Sequence, residues 1–342
     1  MHRIAKKLTT WFAQHARPLP WRRTKDPYAI WISEIMLQQT QVKTVVPYFQ
    51  RWMGALPTIA AFARARPPTV LKLWEGLGYY SRVRNAQAAA RLIMREHAGR
   101  FPRDFASVLK LPGVGRYTAG AVCSIAFNQP VPVLDGNVIR VLSRVLGLSG
   151  NPRGKAVNTK LWSAAEQLVS LPGVEPAKLN QAVMELGALV CLPRQPNCAD
   201  CPLRRDCFAR REDRVAEFPA TARRAPATRR HFIALVVRDQ DRLLVRQRPA
   251  GVVNAGLWEF PNIEIPPKTK NPSALTAPFQ IAPGEPFLRV RHSITRYRIL
   301  LEACEATLSG PAAGEWKTVG EAGKLAFTSA HRKVLEAAGR RG

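Results

Sequence analysis

The stretch LKLPGVGRYTAGAVCSIAF, residues 109–127, places a proline and two glycines between two apolar segments. Pro112, Gly113 and Gly115 predict a tight turn between two helices, because glycine tolerates conformations that other residues avoid and lets the backbone approach a ligand closely. Consecutive N–H groups at the start of the second helix can face an anion. The stretch is therefore either a plain interhelical turn or a hairpin that grips a phosphate through its backbone.

Positive charge is in large excess over the whole chain. The 342 residues include 52 Lys and Arg against 24 Asp and Glu, which gives a formal net charge of +28. This excess indicates a polyanionic partner, with a generally basic surface as the alternative. Neither end carries a block of lysines or a basic amphipathic helix, so the charge favours nucleic acid over a membrane surface.

The N-terminal segment MHRIAKKLTTWFAQHARPLPW, residues 1–21, has charged and polar residues throughout. It lacks the apolar core of a signal peptide, and the chain has no run of about 18 apolar residues that could span a membrane. We therefore expect a protein of a reducing cytoplasm, of bacterial type, with no membrane partner. Clustered thiols in such a compartment usually bind metal rather than form disulfides.

Four of the six cysteines lie in CLPRQPNCADCPLRRDC, residues 191–207. Cys191, Cys198, Cys201 and Cys207 are separated by six, two and five residues, so the segment contains a single C-x-x-C. Structural zinc sites usually pair two such knuckles across a longer gap. One loop around a compact object favours an iron-sulfur cluster, whose separate iron corners each accept a thiolate. A zinc ion and four free thiols remain the alternatives.

The chain is predicted to contain two domains. Upstream of the cysteine loop the segments are helical in character; Asp26, for example, is a plausible N-cap with Pro27 at the first helical position. An arginine-rich stretch at 213–228 has no clear periodicity and is predicted to be a linker. The following residues, 229–342, contain alternating strand patterns and a short final helix. We expect an all-α domain at 1–212 and a smaller α/β domain at 229–342.

These motifs together resemble the helix-hairpin-helix DNA glycosylases of the endonuclease III superfamily, and most closely those that are specific for adenine. The resemblance rests on the hairpin, the cysteine loop, LPWR (19–22), WISEIMLQQTQV (31–42), GLGYYSRVRN (76–85) and VPVLDGNVIRVLSR (131–144). It covers nearly the whole chain and is most specific up to Cys207. It implies a [4Fe–4S] cluster, a monomer, and a duplex DNA substrate with adenine opposite 8-oxoguanine or guanine.

Two carboxylates suit the chemistry of such an enzyme. Cleavage of an N-glycosidic bond needs an acid for the leaving base and an anion near the developing sugar cation. Glu34 lies among apolar residues, where burial would raise its pKa and keep it protonated. Asp135 precedes a predicted helix and could equally be its N-cap. The resemblance implies that Glu34 protonates adenine N7 and that Asp135 stabilises the sugar cation and the attacking water.

The second position after the hairpin separates two reaction types. Glycosylases that also cut the strand form a Schiff base through an amine, and the endonuclease III pattern has a lysine here. This chain has Tyr117, whose phenol cannot form an imine, so we expect base removal that leaves an abasic site. The alternatives are a bifunctional glycosylase/lyase and a non-catalytic iron-sulfur DNA-binding protein. Lys110 is the nearest amine, and we expect it to contact phosphate.

Further site residues are implied by the resemblance alone, and each could instead be an ordinary surface or core residue. The resemblance assigns duplex wedging to Gln39 and Tyr79, lesion-strand contacts to Thr40 and Leu77, the adenine pocket to Trp21, Arg23 and Gln181, phosphate contacts to Gly113 and Gly115, and a partner of the catalytic water to Asn137. Wedging is needed because an enzyme that acts on a base must take that base out of the duplex.

The second domain resembles a Nudix fold through LLVRQRPAGVVNAGLWEFPN, residues 243–262. A Nudix hydrolase needs a glutamate-rich helix to hold metal at a pyrophosphate, and no such run follows Phe260, so we expect no pyrophosphatase activity. The resemblance implies that this domain reads 8-oxoguanine through an aromatic-Ser-His run. The matching stretch here is His292, Ser293, Ile294, Thr295 and Arg296, in which the hydroxyl role falls to Thr295.

Overall fold

A computed structural model of the chain describes residues 1–220, 226–266, 281–308, 310 and 313–341. The chain divides into two compact units, Met1–Arg64 with Arg84–Arg223, and Ala65–Val83 with Arg224–Gly342. The segment 65–83 therefore precedes most of the helical part in sequence but groups with the C-terminal residues. Within the predicted linker, 213–228, residues 221–225 lie outside the described residues.

The first unit is helical. Its elements, besides a 3-10 turn at Pro20–Arg22, are α1 (His2–His15), α2 (Pro27–Leu37), α3 (Val42–Ala55), α4 (Ile59–Arg64), α6 (Ser81–Glu96, which begins in the other unit), α7 (Phe105–Leu109), α8 (Arg116–Phe127), α9 (Gly136–Leu146), α10 (Lys155–Val169), α11 (Pro176–Leu189) and α12 (Phe208–Arg211). Asp26 caps α2 by accepting a hydrogen bond from the Tyr28 N–H at 3.0 Å, as its position before Pro27 predicts.

Helix α11 lies at the centre of this unit and packs against α1, α8 and α9. Its Gly187 permits the close crossing with α9, since a β-carbon there would lie 2.6 Å from the Cβ of Asn137. The core around these helices is formed by aliphatic side chains such as Val141, Leu179 and Leu186. This packing holds the N-terminal end of α9, which begins at Asp135, against α11.

The hairpin predicted at 112–115 joins α7 to α8. Gly113 has a φ of 74°, and a β-carbon there would lie 2.6 Å from the Cβ of Asn85, so both conformation and space require glycine. Gly115 is the N-cap of α8 and has open space around its Cα. The first turn of α8 has amides without intrahelical partners, which is the arrangement that binds anions at helix N-termini.

The second unit contains a mixed sheet with helices. Its elements are α5 (Pro67–Trp74), β1 (Thr228–Asp239), β2 (Arg242–Gln247), β3 (Trp258–Glu259), β4 (Asn262–Ile265), β5 (Ile281–Ile294), β6 (Tyr297–Leu308), β7 (Glu315–Thr318), α13 (Val319–Lys324) and α14 (Ser329–Gly339). The strand order is β3-β2-β1-β6-β5, with β4 paired to β1 and β7 to β2. Strands β1 and β6 are parallel, and the other pairs are antiparallel.

One face of the sheet carries the main core of this unit, which includes Phe260, Phe327 and Val334. The opposite face carries a smaller cluster that includes Ile233, Leu235 and Ile263. An all-α first part and an α/β second part are thus confirmed. None of the helices among the described residues combines the length and the apolar character needed to cross a bilayer.

Candidate active site

Helix α2 buries its residues on every side, from Tyr28 to Met36. A helix that is apolar all round lies in the interior of a protein. Glu34 is a residue of α2, so its carboxyl group lies in that interior. Its side chain is 3% exposed. Burial raises the pKa of Glu34 to about 7, with a further increase from the charge of Asp135, while the Tyr117 hydrogen bond and the charge of Arg22 act in the opposite direction.

Tyr117 of α8 and Asp135, the N-cap of α9, both interact with Glu34. The hydroxyl of Tyr117, in the first turn of α8, donates to Glu34 Oε2 at 2.6 Å. Burial, and then the charges of Glu34 and Asp135, raise the pKa of Tyr117 well above its usual value, so its phenol stays protonated. Residues far apart in sequence thus form one cluster of an acid, a phenol and a second carboxylate.

Asp135 serves as the N-cap of α9, one of the two roles that the sequence left open. Its Oδ1 accepts from the Val138 N–H at 2.8 Å, and its Oδ2 accepts from the Asn137 side chain at 3.0 Å. Burial raises its pKa, although these hydrogen bonds partly offset the effect. Capping does not exclude chemistry, because the same carboxylate interacts electrostatically with Glu34 and Tyr117.

A chain of hydrogen bonds continues from Asp135 toward the cysteine loop. Arg140 donates to the Oδ1 of Asn137 and to the carbonyl of Gly187, each at 2.7 Å, and its Nε donates to the carbonyl of Cys191 at 2.6 Å. Sequence reasoning did not identify Arg140. The spacing of Asn137 and Arg140 on one helix face was the available signal.

A second buried glutamate, also missed from the sequence, supports the opposite side of the site. Glu185 accepts paired hydrogen bonds from Arg17 and from Arg22, all between 2.7 and 2.9 Å. Burial opposes ionisation here, yet these bonds lower the pKa of Glu185 to about 2. Arg22 is also close enough to influence Glu34. Glu185 follows Gln181 by one helical turn, which was the only hint in the sequence.

The residues predicted for an adenine pocket lie in different environments. Trp21 is buried and meets the Phe49 ring edge-on, with centroids 5.4 Å apart. Arg23 is exposed, whereas its neighbour Arg22 points toward the buried cluster. Gln181 lies on α11 and donates to the Ala177 carbonyl at 3.1 Å. The adenine-pocket role of Arg23 stays a prediction, and Arg22 is the neighbour that interacts with the buried acids.

The predicted duplex-contacting residues fall into both units. Gln39 is exposed in the turn between α2 and α3, with a φ of 57°, and Thr40 follows it. Leu77 and Tyr79 belong to the second unit, in the turn that follows α5. Leu77 is buried, and Tyr79 is 42% exposed with a φ of 48°. The exposed members, Gln39 and Tyr79, both occupy left-handed positions at helix ends.

The stretch proposed to read the lesion forms the hairpin between β5 and β6. Ser293 and Thr295 are exposed, and the Thr295 hydroxyl donates to the Ile294 carbonyl at 2.8 Å in a turn where Thr295 has a φ of 50°. His292 is half-buried instead. Burial lowers its pKa, and the charge of Lys333 in α14 lowers it further. Its Nδ1 is buried without a hydrogen-bond partner. The hydroxyls are thus accessible, and the imidazole faces inward.

The four cysteines of the loop line one cavity, together with Arg144, Val141 and Leu186. Arg144, buried on α9, donates to the Cys191 sulfur at 3.3 Å, and its carbonyl accepts from the Cys207 sulfur at 3.4 Å. Burial and the neighbouring cysteines raise the pKa of Cys201 to about 11. Among the described residues, no three His, Cys, Asp or Glu side chains converge closely enough to hold a single metal ion.

The helical unit, with its buried Glu34 beside a hairpin, can be compared with known classes of protein. Residues 32–167 match the HhH-GPD superfamily of base excision DNA repair proteins, and residues 233–337 match the NUDIX domain. A thermostable thymine-DNA glycosylase structure is 29% identical, with a TM-score of 0.56 over 61% of this chain and 95% of its own. An endonuclease III–DNA complex, 22% identical over 61% of this chain and 94% of its own, has the same fold with a TM-score of 0.52.

Relatives that match nearly the whole of this chain identify one family within that superfamily. The adenine DNA glycosylase of Mus musculus is 36% identical over 395 residues, which cover 96% of this chain and 76% of the mouse protein. The Homo sapiens adenine DNA glycosylase is also 36% identical, over 96% of this chain and 72% of its own length. The chain belongs to the adenine DNA glycosylase family and is a DNA N-glycosylase.

The raised pKa of Glu34 predicts a pH dependence for both activity and stability. Excision should fall as pH rises through about 7, where Glu34 loses its proton. Tyr117→Phe removes a hydrogen bond that favours the ionised form, so the alkaline limb should move to higher pH. A single-turnover pH profile measures both, and an unmoved limb in Tyr117→Phe would contradict this assignment.

The same burial predicts that Glu34 lowers stability above neutral pH. The folded chain binds a proton more tightly than the unfolded chain, so the free energy of unfolding falls between the two pKa values as pH rises. Glu34→Gln should therefore stabilise the fold at pH 8 by roughly 3 kcal/mol, at about 1.4 kcal/mol for each pKa unit. Urea denaturation at pH 5 and pH 8 tests this, with the exposed Glu96→Gln as the control that should change neither value.

Proposed function

We propose that this chain is a monofunctional adenine DNA glycosylase that removes adenine paired with 8-oxoguanine or guanine. The observation that carries the proposal is the buried Glu34, with a pKa of about 7, hydrogen-bonded to Tyr117 and facing the charge of Asp135. Two carboxyl groups in one buried cluster provide the acid and the anion that N-glycosidic cleavage requires.

Each residue of the cluster has a distinct part in the proposed reaction. Protonated Glu34 donates its proton to N7 of the flipped adenine, so that the base leaves as a neutral molecule. Ionised Asp135 stabilises the sugar cation and orients the water that attacks C1′, with Asn137 holding its Oδ2 in place. Tyr117 fixes the Glu34 carboxyl by donating to Oε2. We also propose a monomer as the active form.

The residue at the Schiff-base position supports a hydrolytic reaction without strand cleavage. Tyr117 hydrogen-bonds Glu34 and stays protonated, so it provides neither an amine nor a free nucleophile. Lys110 ends α7 on the exposed side of the hairpin. A lysine there suits a phosphate contact, because phosphate contacts position a duplex without reading its sequence.

Product analysis tests this function directly. Duplexes with one adenine opposite guanine, 8-oxoguanine, cytosine or thymine are incubated with the full chain and run before and after alkali. Strands with adenine opposite 8-oxoguanine or guanine should break only after alkali, because the product is an abasic site. Efficient borohydride trapping of a covalent complex would instead support the bifunctional alternative. Binding without any alkali-labile product would support the non-catalytic one.

We also propose that the four cysteines hold a [4Fe–4S] cluster. Their shared cavity, and the guanidinium of Arg144 directed at the Cys191 sulfur, suit a group that carries negative charge on its thiolates. Four thiolates in one cavity repel one another unless cations neutralise them, which agrees with the raised pKa of Cys201. When bound, such a cluster supplies a rigid framework for the loop. We also propose a reducing compartment, in which clustered thiols usually bind metal rather than form disulfides.

Replacement of single cysteines tests the cluster. Cys198→Ala and Cys201→Ala should reduce iron content and DNA affinity together, because metal binding is coupled to local folding. Cys123→Ala is the matched control, since Cys123 is buried in α8 and does not line the cavity. Iron and zinc are measured by elemental analysis of the purified protein. One zinc per chain without iron would overturn the assignment.

Lesion reading by the β5–β6 hairpin is the third part of the proposal. The exposed hydroxyls of Ser293 and Thr295 could distinguish 8-oxoguanine from guanine at the altered N7–H and C8 carbonyl. The inward direction of His292 reduces its part in such contacts and leaves it a packing role against α14.

Thr295→Ala should weaken binding to 8-oxoguanine:adenine duplexes about fivefold, the value of a single hydrogen bond of about 1 kcal/mol. Excision from guanine:adenine duplexes should be unaffected, because the chemical groups remain. Thr307→Ala in β6 is a matched control. Competition binding with both duplexes measures the ratio, and an equal loss on both would show that Thr295 does not read the lesion.

A further inference from the structure

Glu75, at the end of α5, is surrounded by hydrogen-bond donors within the second unit. Its Oε1 accepts from the backbone N–H of Phe327 at 2.9 Å and from Nε of Arg332 at 2.7 Å. Its Oε2 accepts from Nζ of Lys72 at 2.6 Å. The side chain is largely buried, so these interactions are better protected from solvent than a surface ion pair.

The two cations extend this network to the connection between α13 and α14. Lys72 donates to the carbonyls of Gly323, at 2.7 Å, and Leu325, at 3.0 Å. Arg332 also donates to the Leu325 carbonyl, and its guanidinium lies 5.1 Å from the centre of the Phe327 ring. We call Lys72, Glu75 and Arg332 the Glu75 latch. It joins the end of α5 to the C-terminal residues, because Glu75 binds Arg332 and the Phe327 amide while Lys72 binds two backbone carbonyls.

The turn that follows Glu75 is held by its own hydrogen bonds. Nε1 of Trp74 donates to the Gly78 carbonyl at 3.1 Å, and the Gly76 N–H donates to the Tyr80 hydroxyl at 3.2 Å. Gly76, Gly78 and Tyr79 have φ values of 100°, 70° and 48°. A left-handed tyrosine is an uncommon conformation that persists only where its surroundings determine it.

The carbonyls of this turn also accept from a downstream arginine. Arg82 donates to the Leu77 and Gly78 carbonyls, both at 3.0 Å, and its guanidinium lies 5.6 Å from the centre of the Tyr79 ring. The position of the exposed Tyr79 ring is thus fixed relative to Glu75. The interactions that fix Glu75 therefore also fix the position of the Tyr79 ring.

We propose that Glu75 is a positioning residue that attaches the Leu77–Tyr79 turn to the Nudix-like unit. The turn expected to wedge into the duplex then belongs to the same unit that is expected to read the base opposite adenine. Recognition of that base and opening of the base pair therefore involve one unit of the protein. The wedge role rests on the proposed function, whereas the attachment itself does not.

Hydrogen exchange in the full chain tests the attachment without reference to activity. Glu75→Ala, and separately Arg332→Met, should increase amide exchange over residues 75–83 by about tenfold or more, the factor expected from losing one hydrogen bond to a charged group. Exchange in α2 and α8 should stay unchanged. Glu315→Gln is the matched control, since it removes a carboxylate paired with Lys317 in the same unit. Unchanged exchange over 75–83 in both variants would overturn the proposal.

Two DNA substrates then distinguish the loss of a positioning role from a general loss of enzyme activity. With 2-aminopurine in place of adenine opposite 8-oxoguanine, both latch variants should show a smaller fluorescence increase, and single-turnover excision of the paired adenine should fall about tenfold. Excision of an unpaired, bulged adenine should be unchanged, because it needs no wedge. Equal losses on paired and bulged adenine would overturn the positioning role. If the wild-type chain excises no adenine, the proposed function fails, while the exchange result still decides whether the latch exists.

Discussion

The burial of the Glu34 carboxyl is the constraint on which the catalytic unit depends. A carboxyl group inside an all-apolar helix favours its neutral form, and the fold must supply partners that tolerate both protonation states. The hairpin supplies Tyr117 by starting α8 beside α2, and the cap of α9 supplies Asp135. Because burial raises the pKa of Glu34, an ionised carboxylate at this position costs folding free energy.

Two buried glutamates of this unit show how burial and hydrogen-bond partners together decide the charge of an acid. Burial raises the pKa of Glu34 to about 7, whereas paired bonds from Arg17 and Arg22 bring that of Glu185 down to about 2. Removing one partner of a buried ion pair typically costs about 3–5 kcal/mol, because a charge is left uncompensated. Arg22 takes part in both environments, because it pairs with Glu185 and its charge lowers the pKa of Glu34.

The division of the chain adds a second level of organisation. The segment 65–83 is short and lies between helices of the first unit in sequence, yet it is hydrogen-bonded to residues near 325 and 332. Its turn carries Leu77 and Tyr79. The unit that contains the β5–β6 hairpin therefore also contains the turn that follows Glu75.

Local patterns determined much of this protein from the sequence alone, because caps, glycine turns and strand alternation depend on neighbouring residues. The hairpin at 112–115, the cap at Asp26 and the all-α and α/β parts follow from such patterns. Only the tertiary structure showed that Arg22 lies near Glu34, that Arg17 and Arg22 pair with Glu185, and that the Glu75 latch forms. These depend on which side chains meet across distant segments, and burial and pairing of charges arise only when those segments pack.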